Sequence, residues 1–207
     1  GTAFRAPTLY QRFSEYGLAS LQPETSRNLE AGLRYQQGSS LFSVVAYRNT
    51  VDNLINFGGA GACSSPYGCY ANTGHARYEG LTFTGEQRVD AVLLRGSLDV
   101  QDPKDLVTGK QLARRSREHG TFSAETRLAQ WNLAAEAQWS GRRFDNAANT
   151  VTLGGYTLFN LRASTDIAPD WKLLARLNNL ADKSYQLANT YATPGRSVYL
   201  GLIWAPR

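Results

Sequence analysis

The sequence predicts an all-β fold: an antiparallel, up-and-down transmembrane β-barrel, with about ten of its strands in this chain. Three observations carry that prediction. First, residues 131–141 alternate: Trp131, Leu133, Ala135, Ala137 and Trp139 fall on one side, and Asn132, Ala134, Glu136, Gln138 and Ser140 on the other. Period two is the signature of a strand with one apolar and one polar face. Tryptophans bracket the apolar side, and about ten residues at roughly 3.3 Å each, tilted near 45°, cross a bilayer's hydrocarbon core. Second, the connections alternate in length. Those near Gly38, Asp90, Gln130 and Pro169 are short, whereas 58–69, 101–118, 142–155 and 181–195 are long. Outer-membrane barrels carry short turns on one rim and long loops on the other. Third, the second face of the strands holds Glu, Arg, Asn and Gln, which suits a wet or plugged lumen and not a packed sandwich core.

In chain order, residues 1–5 read as the tail of a strand. Residues 6–23 form an irregular segment with a short helix over Leu9–Phe13. Residues 28–35 set Leu29, Ala31, Leu33 and Tyr35 against Asn28, Glu30, Gly32 and Arg34. A polar turn about Gly38 leads into a long strand over 41–57, whose mixed pattern leaves its facing open. The cysteine loop follows, then a strand over 70–89 with Leu81, Phe83 and Gly85 against Thr82, Thr84 and Glu86. Beyond Asp90, residues 92–100 alternate, and the polar stretch 101–118 reads as loop. Residues 122–128 and 131–141 form the next hairpin. The Asn-rich stretch 142–155 reads as loop, followed by strands over 159–166 and 171–178 about a turn at Pro169 and Asp170. Residues 198–204 close the series. An open sheet edge cannot sit in lipid, so these strands need further strands to close a barrel.

Composition narrows the class. No run of eighteen apolar residues exists, and mean hydropathy is -0.39, so no helical membrane span is expected. Alternation hides a lipid face from such averages. The net charge is +5, but the basic residues are scattered. The densest cluster, Arg114, Arg115 and Arg117, adjoins Glu118, which reads as a solvated or lumen-facing group and not as a nucleic-acid stripe. The chain opens on G-T-A-F-R, lacks methionine and shows no leader. Gly1 therefore reads as a cut inside a longer protein whose targeting segment lies upstream. Cys63 and Cys69 stand six apart in a Gly/Ser/Pro-rich stretch with no histidine close by. A small-loop disulfide in an oxidising compartment is the expectation, with two free thiols as the alternative.

Nothing points to an enzyme or a metal centre. His75 and His119 are isolated, with no partner at ligand spacing. Ser64 and Ser65 lack a nucleophile elbow. Gly58, Gly59 and Gly61 are not followed by the Lys-Ser/Thr of a phosphate loop. Glu30, Glu79, Glu86, Glu125 and Glu136 read as lumen-facing carboxylates that pair with Arg34, Arg95, Arg127 or Arg162. Trp131, Trp139, Trp171 and Trp204 lie at strand ends, where aromatic side chains form a membrane-interface belt. Trp204 also supplies the terminal aromatic of a barrel, and Ala205, Pro206 and Arg207 extend past it.

Several segments resemble the barrel of TonB-dependent outer-membrane receptors. They are G-T-A-F-R-A-P at 1–7, L-Q-P-E-T-S-R-N-L-E-A-G at 21–32, A-Y-R-N-T-V-D-N-L-I at 46–55 and Y-A-N-T-G-H-A-R-Y-E-G at 70–80. N-N-L-A-D-K-S-Y at 178–185 and T-P-G-R at 193–196 complete the set. The resemblance runs the length of the chain in the family's own order. It implies that residues 1–207 are the C-terminal part of a plugged barrel of about 22 strands in the bacterial outer membrane. The plug, the N-terminal strands and the TonB box that engages the TonB complex would lie upstream. Within the family the chain is most similar to cobalamin (vitamin B12) transporters, through L-A-R-R at 112–115 and R-F-D at 143–145. That likeness implies a binding and transport role, with Arg114 contacting the corrinoid and the tip of the following loop, at Asn146, Ala148 and Asn149, contacting it again. The subfamily has an aromatic close to Ala148. No cofactor is implied besides cobalamin as cargo, and any calcium sites would lie upstream. The alternatives are a siderophore or haem receptor and a passive adhesin or phage-receptor barrel. A soluble periplasmic β-domain is a further reading.

Overall fold

Alternating side chains commit this chain to strands, and backbone hydrogen bonding commits the strands to one another. The computed structural model describes residues 1–58 and 61–206; Gly59 of the cysteine loop and Arg207 lie outside them. The strands β1 (Thr2–Arg5), β2 (Glu24–Gln37), β3 (Ser40–Phe57), β4 (Tyr70–Val89) and β5 (Val92–Asp105) are followed by β6 (Glu118–Leu128) and β7 (Trp131–Ser140). A small hairpin, β8 (Arg143–Phe144) and β9 (Thr152–Leu153), precedes β10 (Tyr156–Ala168), β11 (Trp171–Asn178) and β12 (Ser197–Trp204). All but β8 and β9 form a single ten-stranded sheet in chain order, every pairing antiparallel. That is the predicted up-and-down topology, with β1 and β12 as its edges. The one helix among the described residues, α1 (Leu9–Phe13), starts at a capping box in which Thr8 and Gln11 satisfy each other's backbone N–H groups.

Register shows that the two faces run unbroken across the sheet. Residues directly opposite in antiparallel strands share a face. On the apolar face, Phe122 lies opposite Gly96 and Ala137, and Ala137 opposite Phe159. Leu161 lies between Ala135 and Leu177, and Leu177 opposite Val198. Large apolar side chains of this face stand exposed, Leu33 at 77% and Leu200 at 69%. On the polar face, Glu86 faces Arg95, Arg95 faces Ser123, and Ser123 faces Glu136. The carboxylates and guanidiniums there interlock, with Arg95 bridging Glu86 at 2.9 Å and Glu125 at 3.2 Å, and Arg162 reaching Glu125 at 3.5 Å.

The apolar band has definite ends. Trp131, Trp171 and Trp204 stand on it beside the short turns, with the rings of Trp171 and Trp204 6.3 Å apart, and Trp139 stands on it toward the long loops. Trp131 and Trp139 are eight residues apart, about 26 Å along the strand and about 20 Å of height at a barrel strand's tilt, which covers most of a lipid-facing band. Farther up, the same face turns ionic: Arg48 bridges Glu79 at 2.9 Å and Arg77 bridges it at 2.8 Å. Glu79 is thus not a lumen carboxylate as expected, because its register with Arg48 puts it outside and above the band.

Strands outrun the sequence pattern at the long-loop end. β2 begins at Glu24 and β6 at Glu118, β10 begins at Tyr156, and β5 runs on to Asp105. The expected loop 142–155 itself contains β8 and β9. Above the membrane neither face meets lipid, so alternation lapses while the hydrogen-bond ladder continues. The small buried core lies there on the polar side, where Leu112 folds down onto Val51 and Ala76.

Candidate functional site

At the long-loop rim, loops 106–117, 142–155 and 179–196 fold together over the polar face. Asp145 is the joint. Its carboxylate accepts Arg114 Nε at 2.8 Å and the Asn189 backbone N–H at 3.1 Å, so one side chain ties all three loops. The Arg114 N–H donates to the Phe144 carbonyl at 2.6 Å, which sets a backbone tie beside the ion pair. Arg114 takes a left-handed conformation (φ 58°) to make both contacts. The Arg114 hydrogen bond holds the Asp145 carboxyl below the ordinary carboxylate range; partial burial opposes this, and the Asn189 amide and the charge of Arg143 assist it.

The Asn-rich tip is structural in its hydrogen bonding. Asn149 Nδ2 donates to the Gln111 carbonyl at 2.9 Å, and its Oδ1 accepts the Gln111 N–H at 2.9 Å. Asn146 Oδ1 accepts the N–H groups of Thr150 and Val151, four and five residues on, and so closes the tip of the loop. Ala148 lies exposed at the tip between them. Arg143, the first residue of β8, is buried, stacks its guanidinium over the Tyr156 ring at 5.3 Å and donates to the Gln186 carbonyl at 2.6 Å.

Beneath these loops lies a bowl of about 590 Å³, floored by Ser97, Gln101, Thr121 and Gln138 and walled by Arg114, Arg115 and Arg143. That volume lies in the range of pockets that enclose small organic ligands. Arg114 and Arg115 also line a neighbouring space of about 250 Å³ with Asp145. The structure places Arg114 and the loop tip at 146–149, the positions the resemblance points to, at this rim, and adds Arg143 and Asp145, to which the sequence assigns no role. Their partners lie 31 and 43 residues away in the chain, beyond any local pattern.

A second group of loops meets at the other side of the rim. Cys63 and Cys69 form the predicted disulfide, with Cα atoms 5.7 Å apart. The loop it closes leans on the segment after β1: the Tyr70 N–H donates to the Tyr16 carbonyl at 2.8 Å, and Ser64 Oγ to the Glu15 carbonyl at 3.2 Å. The rings of Tyr10, Tyr16, Phe57 and Tyr70 pack edge to face or tilted around that seam. His75 pairs with Asp52 at 2.5 Å, while His119 lines the bowl.

A ten-stranded meander with a bare apolar face, an ionic inner face and loops massed at one rim defines a wall of a transmembrane outer-membrane barrel. The family model for the TonB dependent receptor-like β-barrel matches residues 1–180. The chain belongs to that family. It is 32% identical over 202 residues to a vitamin B12 transporter of Photobacterium profundum, covering 96% of this chain and 33% of the relative. It is 31% identical to a vitamin B12 transporter of Vibrio cholerae, covering 98% and 33%. Among solved structures, a copper transporter superimposes with a TM-score of 0.80 at 18% identity, and the ferric enterobactin receptor of Pseudomonas aeruginosa with 0.75 at 23%. Each match covers 98% of this chain and 37% of the other. The chain thus spans about a third of the length of the proteins it matches.

Proposed function

We propose that this chain is the C-terminal part of a TonB-dependent outer-membrane transporter that binds and imports cobalamin. The observation that carries the ligand assignment is the 32% identity to a vitamin B12 transporter across 96% of the chain. The likenesses to the copper and ferric enterobactin proteins lie at the level of fold, which hosts many cargoes. In this reading the massed loops capture a ligand too large for passive diffusion, and a plug and TonB-engaging segment encoded upstream provide gated passage. Arg114 offers its remaining guanidinium N–H groups to ligand oxygens while Asp145 holds its Nε. Asn146 and Asn149 shape the loop that carries Ala148 to the rim, and that tip provides the second contact.

Equilibrium titration of the full-length receptor in detergent with cyanocobalamin, ferric enterobactin and haem tests the assignment. The expected result is tight binding of cyanocobalamin alone, weakened about tenfold by Arg114→Ala, the loss of one charge-assisted contact. Preference for an iron chelate or haem would move the cargo, and binding of none would favour a passive barrel.

A further inference from the structure

Arg143 is a buried cation that makes no direct ion pair among the described residues, although Asp145 lies close enough to feel its charge. It is 5% exposed, and its Nη1 has no hydrogen-bond partner although Nη2 is bonded to Gln186. Asp145, two residues on, is paired with Arg114 instead. Stacking on Tyr156 fixes the guanidinium but supplies no negative charge. Burying an unpaired ion is costly, so a partner of opposite charge is expected wherever such a group persists. The lining of the bowl extends the argument. Arg114, Arg115 and Arg143 contribute to it, along with His119 and Ser, Thr and Gln side chains, and among the described residues no Asp or Glu does. Low-dielectric walls bearing one sign of charge focus a field that concentrates anions.

We infer that the bowl beneath the loops is an oxyanion site centred on Arg143, which receives a phosphate group. The buried guanidinium provides orientation, and Arg114 and Arg115 at the mouth provide attraction. On the cobalamin reading, on which only the choice of corrinoid probes rests, that group is the phosphodiester of the nucleotide arm; the other source of the same chemistry is free phosphate. Cobinamide, which lacks the nucleotide arm and its phosphate, separates the two. The bond from Arg143 to Gln186 also makes a purely structural role testable, because loss of a loop strap lowers stability without distinguishing ligands.

The measurement is calorimetric titration of the full-length receptor in detergent with cyanocobalamin and with cobinamide, for wild type, Arg143→Gln and Arg143→Lys. Beside it, thermal midpoints are compared in phosphate and in chloride at matched ionic strength. Arg143→Gln is expected to weaken cyanocobalamin tenfold or more while leaving cobinamide within twofold, and Arg143→Lys to retain part of the difference. Phosphate is expected to raise the wild-type midpoint and not that of Arg143→Gln. Equal weakening of both corrinoids, or a lowered midpoint with both affinities intact, would overturn the site. If Arg143→Gln does not fold, the Arg143→Lys ratio of the two affinities decides. If wild type binds neither corrinoid, the cobalamin reading falls, and the phosphate-dependent shift alone judges the oxyanion site.

Discussion

Asp145 shows how much of the loop rim depends on one carboxylate. It joins a side chain from loop 106–117 to a backbone amide from loop 179–196, and its own loop is pinned to Gln111 through Asn149. Its folded-state acidity is raised, since Arg114 favours the charged form. A carboxyl with a depressed folded pKa adds stability above its unfolded value, about 3.9 for Asp, and that stability is lost as pH falls through the folded value. The rim is therefore expected to be closed at neutral pH and to loosen only below about pH 4. Asp145→Asn should reproduce that loosening at pH 7. Hydrogen exchange at the Arg114 and Asn189 amides, corrected for intrinsic rates, should accelerate about tenfold in the variant, corresponding to loss of one charge-assisted bond. Unchanged protection at both amides would show that backbone ties alone hold the loops. The sequence offered the R-F-D triplet but not this junction, because Asp145's partners are set by how three loops meet.

At the scale of the strand, glycine and aromatic residues work in pairs. On the apolar face Gly85 lies opposite Phe42, Gly96 opposite Phe122, and Gly120 opposite Trp139. An aromatic ring laid across a glycine covers backbone that has no side chain of its own. The fits differ. A Cβ on Gly120 would press on the Trp139 ring and on the Ser97 carbonyl, whereas one on Gly96 would meet Phe122 at an ordinary 3.6 Å. Gly120→Ala should thus destabilise the full-length barrel by about 1–3 kcal/mol, the usual range for overpacking, and Gly96→Ala should leave it nearly unchanged. Urea unfolding followed by tryptophan fluorescence measures both; equal effects would mean that the ring moves aside freely. Strands of this kind were legible wherever one face meets lipid, as in Trp131–Ser140. The pattern failed at Glu24 and at residues 101–105, where both faces meet water or folded loop and polarity no longer reports direction.

Across the whole molecule, two neighbouring alanines put the membrane assignment at risk in one experiment. Ala135 sits midway between Trp131 and Trp139 on the apolar face, opposite Ala124 and Leu161. Ala134 sits on the other face, opposite Glu125 and Arg162. In a sheet with water on both sides, an arginine at either position would cost about the same. In a barrel wall, Ala135→Arg places a charge near the bilayer midplane at a cost of about 2–4 kcal/mol, whereas Ala134→Arg enters a wet, charged lumen, where Glu125 already holds Arg95 and Arg162 and the like charge of Arg162 opposite costs about 1 kcal/mol or less. Folding the full-length receptor into lipid vesicles and titrating with denaturant reads the difference directly. The asymmetry follows from period two alone, because a step of one residue exchanges hydrocarbon for water. It is also why the fold could be read from the sequence while the rim could not. Facing is written into every strand as alternation, but the positions of Arg114, Asp145 and Arg143 are fixed only once the wall has brought their loops together.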